Sequence, residues 1–123
     1  MTKRILIVDD EPNIVVSLEF LMKREGYEVA VASDGKAALH AVEKKMPDLV
    51  LLDIMLPKKN GFEVCQTLRA NPQWQSMKIV ILTAKKRDTE VAKGTALGAD
   101  AYMTKPFSTK DLIAQVRQLL GLS

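Results

Sequence analysis

Five polar residues that could act together stand at or just after the ends of short, mainly apolar runs. Asp9 and Asp10 follow "ILIV", Asp53 follows "LVLL", Thr83 follows "KIVIL" and Lys105 follows "DAYMT". Carboxylates brought close together bind a hard divalent cation such as Mg²⁺. A carboxylate beside a metal ion and a lysine can also accept a phosphoryl group. These residue types therefore indicate metal-assisted phosphoryl chemistry, although spacing alone does not choose the nucleophilic aspartate.

Five alternations of an apolar strand with a helical pattern would position these residues. Strands are predicted at 5–8, 27–32, 49–52, 78–82 and 100–104, and helices at 12–25, 35–45, 61–70, 88–97 and 108–120. Strands without polar alternation are typical of a parallel sheet covered by helices on both faces. We therefore expect one doubly wound, flavodoxin-like α/β domain over residues 1–123, with five helices and the strand order 2-1-3-4-5.

This strand order brings the acidic residues to one edge of the sheet. The carboxyl ends of parallel strands share an edge, and ligands bind there at the switch point between the first and third strands. Asp9, Asp10 and Asp53 all follow those two strands. Three carboxylates, one Mg²⁺ ion and the ammonium of Lys105 sum to zero charge. The sequence thus predicts a magnesium site at this edge.

Composition excludes several other classes of protein. The 123 residues are 47% hydrophobic and 27% charged, and no apolar run approaches the ~18 residues of a membrane span. A net charge of +3 with 5% aromatic residues argues against nucleic-acid binding by this chain alone. The only cysteine, Cys65, cannot form an internal disulfide. Together with the lack of a secretory signal pattern, this predicts a cytoplasmic protein.

Four segments, in order and together, resemble the receiver domain of bacterial two-component response regulators: "VDDE", "LLDIMLPKKNG", "VILTA" and "GADAYMTKPF". The resemblance extends over essentially the whole chain. It implies that Asp53 accepts a phosphoryl group from a phosphohistidine on a sensor histidine kinase or a histidine phosphotransfer protein. Such a domain promotes its own phosphorylation and dephosphorylation and is not otherwise expected to be an enzyme.

The same resemblance implies a metal-binding set. Its members are Asp9, Asp10, Asp53 and the backbone carbonyl of Met55. Lys105 is implied to pair with Asp53 and then with the phosphoryl group.

The resemblance further implies a set of switch residues. Thr83 and the backbone of Ala84 are expected to bind the phosphoryl group in the active state. Tyr102 matches an aromatic position that is expected to turn inward as Thr83 moves. The Lys105–Pro106 bond is expected to be cis, which is physically reasonable because cis peptides occur mainly before proline.

The implied function is a switch whose surface for a downstream protein comprises helix 88–97, strand 100–104 and helix 108–120. A phosphate relay or sink without a direct output is the alternative. A monomer or a phosphorylation-dependent dimer is expected. Ala101 stands where relatives joined to winged-helix DNA-binding domains often carry a second acid, which weakens the expectation that their dimer interface applies here.

Two other classes fit less well. A flavodoxin-like electron carrier needs a first loop rich in Ser, Thr and Gly to bind phosphate, and "DDEP" would repel it. An aspartyl-phosphate phosphatase usually carries an acid two residues after its nucleophile, where this chain has Met55.

Overall fold

The computed structural model describes residues 2–54, 56, 61–83, 98–105 and 107–122. The strands are β1 (Arg4–Val8), β2 (Glu28–Ala32), β3 (Leu49–Asp53), β4 (Lys78–Thr83) and β5 (Ala101–Thr104). The helices are α1 (Pro12–Arg24), α2 (Gly35–Lys44), α3 (Gly61–Ala70) and a C-terminal helix (Thr109–Leu119), with a 3₁₀ turn at Pro72–Trp74. The predicted helix 88–97 lies outside the described residues.

The five strands form one parallel sheet in the order β2-β1-β3-β4-β5, which confirms the predicted fold. Val8 of β1 pairs with Leu52 of β3, so the residues that follow them meet at the same edge. The strand β2 lies at the other side of β1, and Glu28 in it is exposed. As expected of an edge strand, β2 also exposes Val31 in its interior, whereas Ile5–Val8 of β1 and all of β3 are buried.

Alternate residues of the central strands point into two separate cores, one on each face of the sheet. Ile5 and Leu51 pack with α1 and the C-terminal helix, whereas Leu6 and Val50 pack with α2 and α3. Every one of these strand residues is at most 1% exposed. Burial on both faces is the reason that these strands read as continuous apolar runs.

Local signals in the sequence set the helix ends. Pro12 occupies the first turn of α1, where its missing N–H costs nothing. Asp34 caps α2 by accepting a hydrogen bond of 2.7 Å from the Ala37 N–H. Ser108 likewise accepts from the Asp111 N–H at 3.3 Å and begins the C-terminal helix. None of the helices in the described part of the chain is long and apolar enough to cross a bilayer.

Candidate functional site

The structure brings Asp9, Asp10 and Asp53 together at the carboxyl edge of the sheet. A carboxylate oxygen of each lies within 4.8 Å of one from each of the others. Asp9 is 0% exposed and Asp53 is 3% exposed, while Asp10 faces solvent. Two buried carboxylates and one exposed carboxylate thus share a small volume, where like charges need a nearby cation.

Lys105 supplies part of that positive charge. Its Nζ lies 2.9 Å from Asp9 Oδ2, 3.4 Å from Glu11 Oε1 and 3.6 Å from Asp53 Oδ2. The resemblance implied Asp53 as its partner, yet Asp9 is the nearer one. Sequence reasoning assigned no role to Glu11, because nothing in the spacing of "DDEP" shows where its side chain points.

The carboxylates keep Lys105 protonated. Burial by itself lowers the pKa of Lys105, because it disfavours the charged ammonium. The hydrogen bond to Asp9 and the negative charges of Asp53, Asp9 and Glu11 outweigh burial, and the pKa is raised above its ordinary value. The ammonium is therefore fully charged at neutral pH.

Asp9 is held by contacts on each of its carboxylate oxygens. Its Oδ1 accepts a hydrogen bond of 2.9 Å from the Glu11 N–H, and its Oδ2 accepts from Lys105 at 2.9 Å. The Asp9 backbone N–H donates to the carbonyl of Ala32 at the end of β2. These contacts fix the side chain where β1 turns into α1.

Gly61 lets α3 begin directly against the backbone around Asp53. Its N–H donates to the Ile54 carbonyl at 2.8 Å. A Cβ at this position would lie 2.7 Å from Ile54 Cα and even closer to the Asp53 carbonyl oxygen. Only glycine fits such an approach without moving the backbone. Gly61 therefore helps to position the central aspartate.

Thr83 and Tyr102 lie on adjacent strands near this edge. Thr83 ends β4 and is 5% exposed, and its carbonyl accepts a hydrogen bond of 2.6 Å from the Lys105 N–H. Tyr102 in β5 is half-buried and packs against the core on the α2–α3 face. The remaining predicted site residues, Met55, Ala84 and Pro106, lie outside the described residues.

Arg69 at the end of α3 holds the turn that precedes β5. Its guanidinium donates to the Gly98 carbonyl at 2.8 Å and to Asp100 Oδ2 at 2.6 Å. The same Asp100 oxygen accepts from the Ile79 N–H at 2.7 Å. The "GAD" segment thus anchors the strand that leads to Lys105. Sequence reasoning missed Arg69, since its partners lie about 30 residues away along the chain.

The profile of the family described as the response regulator receiver domain matches residues 5–117. This chain belongs to that family. Its membership accounts for the acidic edge and supports a role in two-component signalling. The resemblance inferred from the four sequence segments is thereby confirmed.

Relatives and solved structures agree with the receiver fold. The chain is 48% identical over its full length to half of the alkaline phosphatase synthesis transcriptional regulatory protein PhoP of Bacillus subtilis strain 168. A CheY-like receiver domain protein of Methanospirillum hungatei JF-1 is 32% identical, with a TM-score of 0.92 over 98% of this chain and 95% of that one.

A third comparison bears on metal binding. The receiver domain of the sensor histidine kinase PA1611 from Pseudomonas aeruginosa PAO1 is 26% identical, with a TM-score of 0.90 over 98% of this chain and 99% of that one. That structure has a magnesium ion coordinated in its active-site cleft. The present chain spans about half the length of the curated relatives it matches.

Proposed function

We propose that this receiver domain is a phosphorylation-dependent switch in which Asp53 accepts a phosphoryl group with the help of Mg²⁺. The main support is that the side chains of Asp53, Asp9, Asp10 and Lys105 lie close together at one edge of the sheet. The phosphoryl donor is a phosphohistidine on a histidine kinase or phosphotransfer protein. The cytoplasm, where such donors act, is the proposed location.

The donor atoms suit Mg²⁺. Bonds of about 2.1 Å in octahedral geometry place ligand oxygens about 3–4 Å apart. One carboxylate oxygen from each of Asp9, Asp10 and Asp53 already lies within 4.8 Å of the other two, so closing around the ion needs side-chain shifts of about 1–2 Å. When bound, the ion would neutralise phosphoryl oxygens during transfer. The Met55 carbonyl is the proposed fourth protein ligand.

Asp53 is the proposed nucleophile among the three carboxylates, as the family resemblance implies. Asp10 is exposed and thus solvated. Asp53 is buried at the end of β3, where an attacking oxygen meets the donor with little water to displace. In the transfer step, an Asp53 oxygen forms a new P–O bond while the P–N bond of the donor breaks. The electron pair of the P–N bond goes to the imidazole.

Lys105 would stabilise the transferred group. Its Nζ lies 3.6 Å from Asp53 Oδ2, so a phosphoryl oxygen attached there comes within range of the ammonium. Charge-assisted hydrogen bonds to phosphate are about twice as strong as neutral ones. We expect Lys105 to hold one phosphoryl oxygen while Thr83 and the backbone of Ala84 bind others.

Phosphorylation would alter the surface through β4 and β5. It replaces one negative charge at Asp53 with roughly two and adds three acceptor oxygens. Thr83 ends β4, and its carbonyl accepts a hydrogen bond from the N–H of Lys105, the residue that follows β5. A movement of Thr83 would therefore be transmitted to β5. Tyr102 lies in that strand. The output surface is proposed to comprise helix 88–97, strand 100–104 and helix 108–120.

Beryllofluoride, a stable analogue of the phosphoryl group, tests the switch. We expect it to bind with Mg²⁺ to the wild type but not to Asp53→Asn, and to shift the NMR resonances of Thr83, Tyr102 and the C-terminal helix. Resonance shifts confined to the residues around Asp53 would contradict the switch. That result would favour a relay or sink, which needs no output surface.

A further inference from the structure

Glu11 is a fourth carboxylate at this edge, and it lies outside the acidic cluster. Its Oε1 is 3.4 Å from Lys105 Nζ, and its side chain is 60% exposed. The carboxylate cluster that could enclose an ion comprises Asp9, Asp10 and Asp53 only, within the part of the chain that the structure describes. Glu11 therefore contacts the lysine from the rim of the site.

The position of Glu11 in the chain points to a role other than capping. Glu11 is the N-cap residue of α1, a position that favours Ser, Thr, Asp or Asn. Its side chain accepts no capping hydrogen bond from the first turn of α1, all of which the structure describes. The carboxylate instead approaches Lys105, whereas the Glu11 backbone N–H bonds to Asp9.

Lys105 and a metal ion must compete for Asp9. The ammonium lies 2.9 Å from Asp9 Oδ2, and a divalent cation on the same carboxylate would repel it. The ion enters at lower cost if the ammonium shifts toward other carboxylates, and Glu11 Oε1 at 3.4 Å and Asp53 Oδ2 at 3.6 Å are both near it. Glu11 is already within 4 Å of Lys105 and is solvated, so it can strengthen this contact with little rearrangement.

We propose that Glu11 is a positioning residue that draws the Lys105 ammonium away from Asp9 and so favours Mg²⁺ binding. The proposal rests on the proposed function only in that it takes Mg²⁺ to be the ion bound by the three aspartates. Glu11 touches neither the ion nor the phosphoryl group in this account. It acts through Lys105, which stays close to Asp53 when it leaves Asp9.

A double-mutant cycle on the unphosphorylated protein tests this role. The dissociation constant for Mg²⁺ is measured from amide NMR shifts for the wild type, Glu11→Gln, Lys105→Met and the double variant. We expect Glu11→Gln to weaken Mg²⁺ binding about two- to fivefold, the range set by one partly exposed ion pair. With Lys105→Met, the same substitution should change the constant by less than about 1.5-fold, because only a screened distant charge is lost.

A control removes an equal charge elsewhere. Glu43→Gln, on the exposed face of α2, should leave the Mg²⁺ dissociation constant unchanged. Equal weakening by Glu11→Gln with and without Lys105 would overturn the proposal, since Glu11 would then act only as a general charge. No effect of Glu11→Gln in the wild type would overturn it as well. A wild-type domain that bound no Mg²⁺ would instead overturn the metal site of the proposed function.

Discussion

At the residue scale, Lys105 is a cation that helps to stabilise the buried carboxylates at this edge. Its ammonium contacts Asp9 and lies near Asp53, the two carboxylates that solvent barely reaches. A buried carboxylate that loses its partner is strongly unfavourable. The same residue therefore serves the stability of the fold and the proposed phosphoryl chemistry.

Substituting Lys105 should lower the free energy of unfolding, and a divalent ion should restore part of this loss. We expect Lys105→Met to reduce the free energy of unfolding by about 3 kcal/mol, because Asp9 keeps only its backbone donor. Added Mg²⁺ should recover more stability in this variant than in the wild type, since the ion no longer competes with the ammonium. Urea unfolding with and without Mg²⁺ measures both effects.

The matched control is Lys110→Met, which removes an exposed lysine from the C-terminal helix. It should change the free energy of unfolding by less than about 0.5 kcal/mol. A loss in Lys105→Met no larger than in this control would show that Asp9 does not depend on Lys105.

Cys65 gives a pH-dependent prediction at the same scale. Burial on α3 raises the pKa of this thiol to about 11 from an ordinary value of 9.0; Arg69 opposes the shift and Asp100 adds to it. Between these values the unfolded chain releases the proton while the folded chain keeps it, so stability falls as the pH rises. The expected loss is roughly 1.5 kcal/mol from about pH 9 to about pH 10.5.

Urea unfolding across this range, compared with Cys65→Ala, isolates the contribution of the thiol. Other groups titrate equally in both proteins, so the variant should lose less stability with rising pH even if it is less stable at neutral pH. Parallel pH profiles for the two proteins would show that the folded thiol titrates normally.

At the element scale, the start of α3 fixes the backbone of the central aspartate. Gly61 approaches the Asp53 carbonyl and Ile54 more closely than any side chain allows. At its other end, the helix holds the turn before β5 through Arg69 and Asp100. The helix α3 therefore connects the strand that ends in Asp53 with the strand that leads to Lys105.

Enlarging Gly61 should disturb this connection. We expect Gly61→Ala to lower the free energy of unfolding by about 2–3 kcal/mol and Gly61→Val to lower it further, because the added atoms must displace backbone. Thermal or urea unfolding measures the loss. A Gly61→Ala variant as stable as the wild type would show that α3 does not approach the Asp53 backbone this closely.

At the scale of the whole molecule, the fold was largely predictable from hydrophobic patterning. Continuous apolar runs such as "LVLL" indicated strands buried on both faces, and five strand–helix units favoured the strand order that the structure shows. The meeting of Asp9 with Asp53 followed from that order, because parallel strands share their carboxyl edge. The polar Glu28 correctly indicated an edge strand.

The finer contacts of the site were not predictable from the sequence. Lys105 reaches Asp9 and Glu11 across more than 90 residues of chain, and Arg69 reaches Asp100 across 31. Such contacts depend on the reach and rotamer of long side chains, which leave no periodic signal in the sequence. Gly61 was part of a recognised motif, but its close approach to Asp53 becomes evident only in three dimensions.

Asp53 is the proposed metal-assisted phosphoacceptor at this edge of the sheet. The most direct test is intact-mass measurement after incubation with acetyl phosphate, with Mg²⁺ or with a chelator, for the wild type and Asp53→Asn. We expect the wild type to gain one phosphoryl group only with Mg²⁺, and the variant to gain none. Labelling of Asp53→Asn to the same extent, or labelling that persists without a divalent ion, would contradict this expectation.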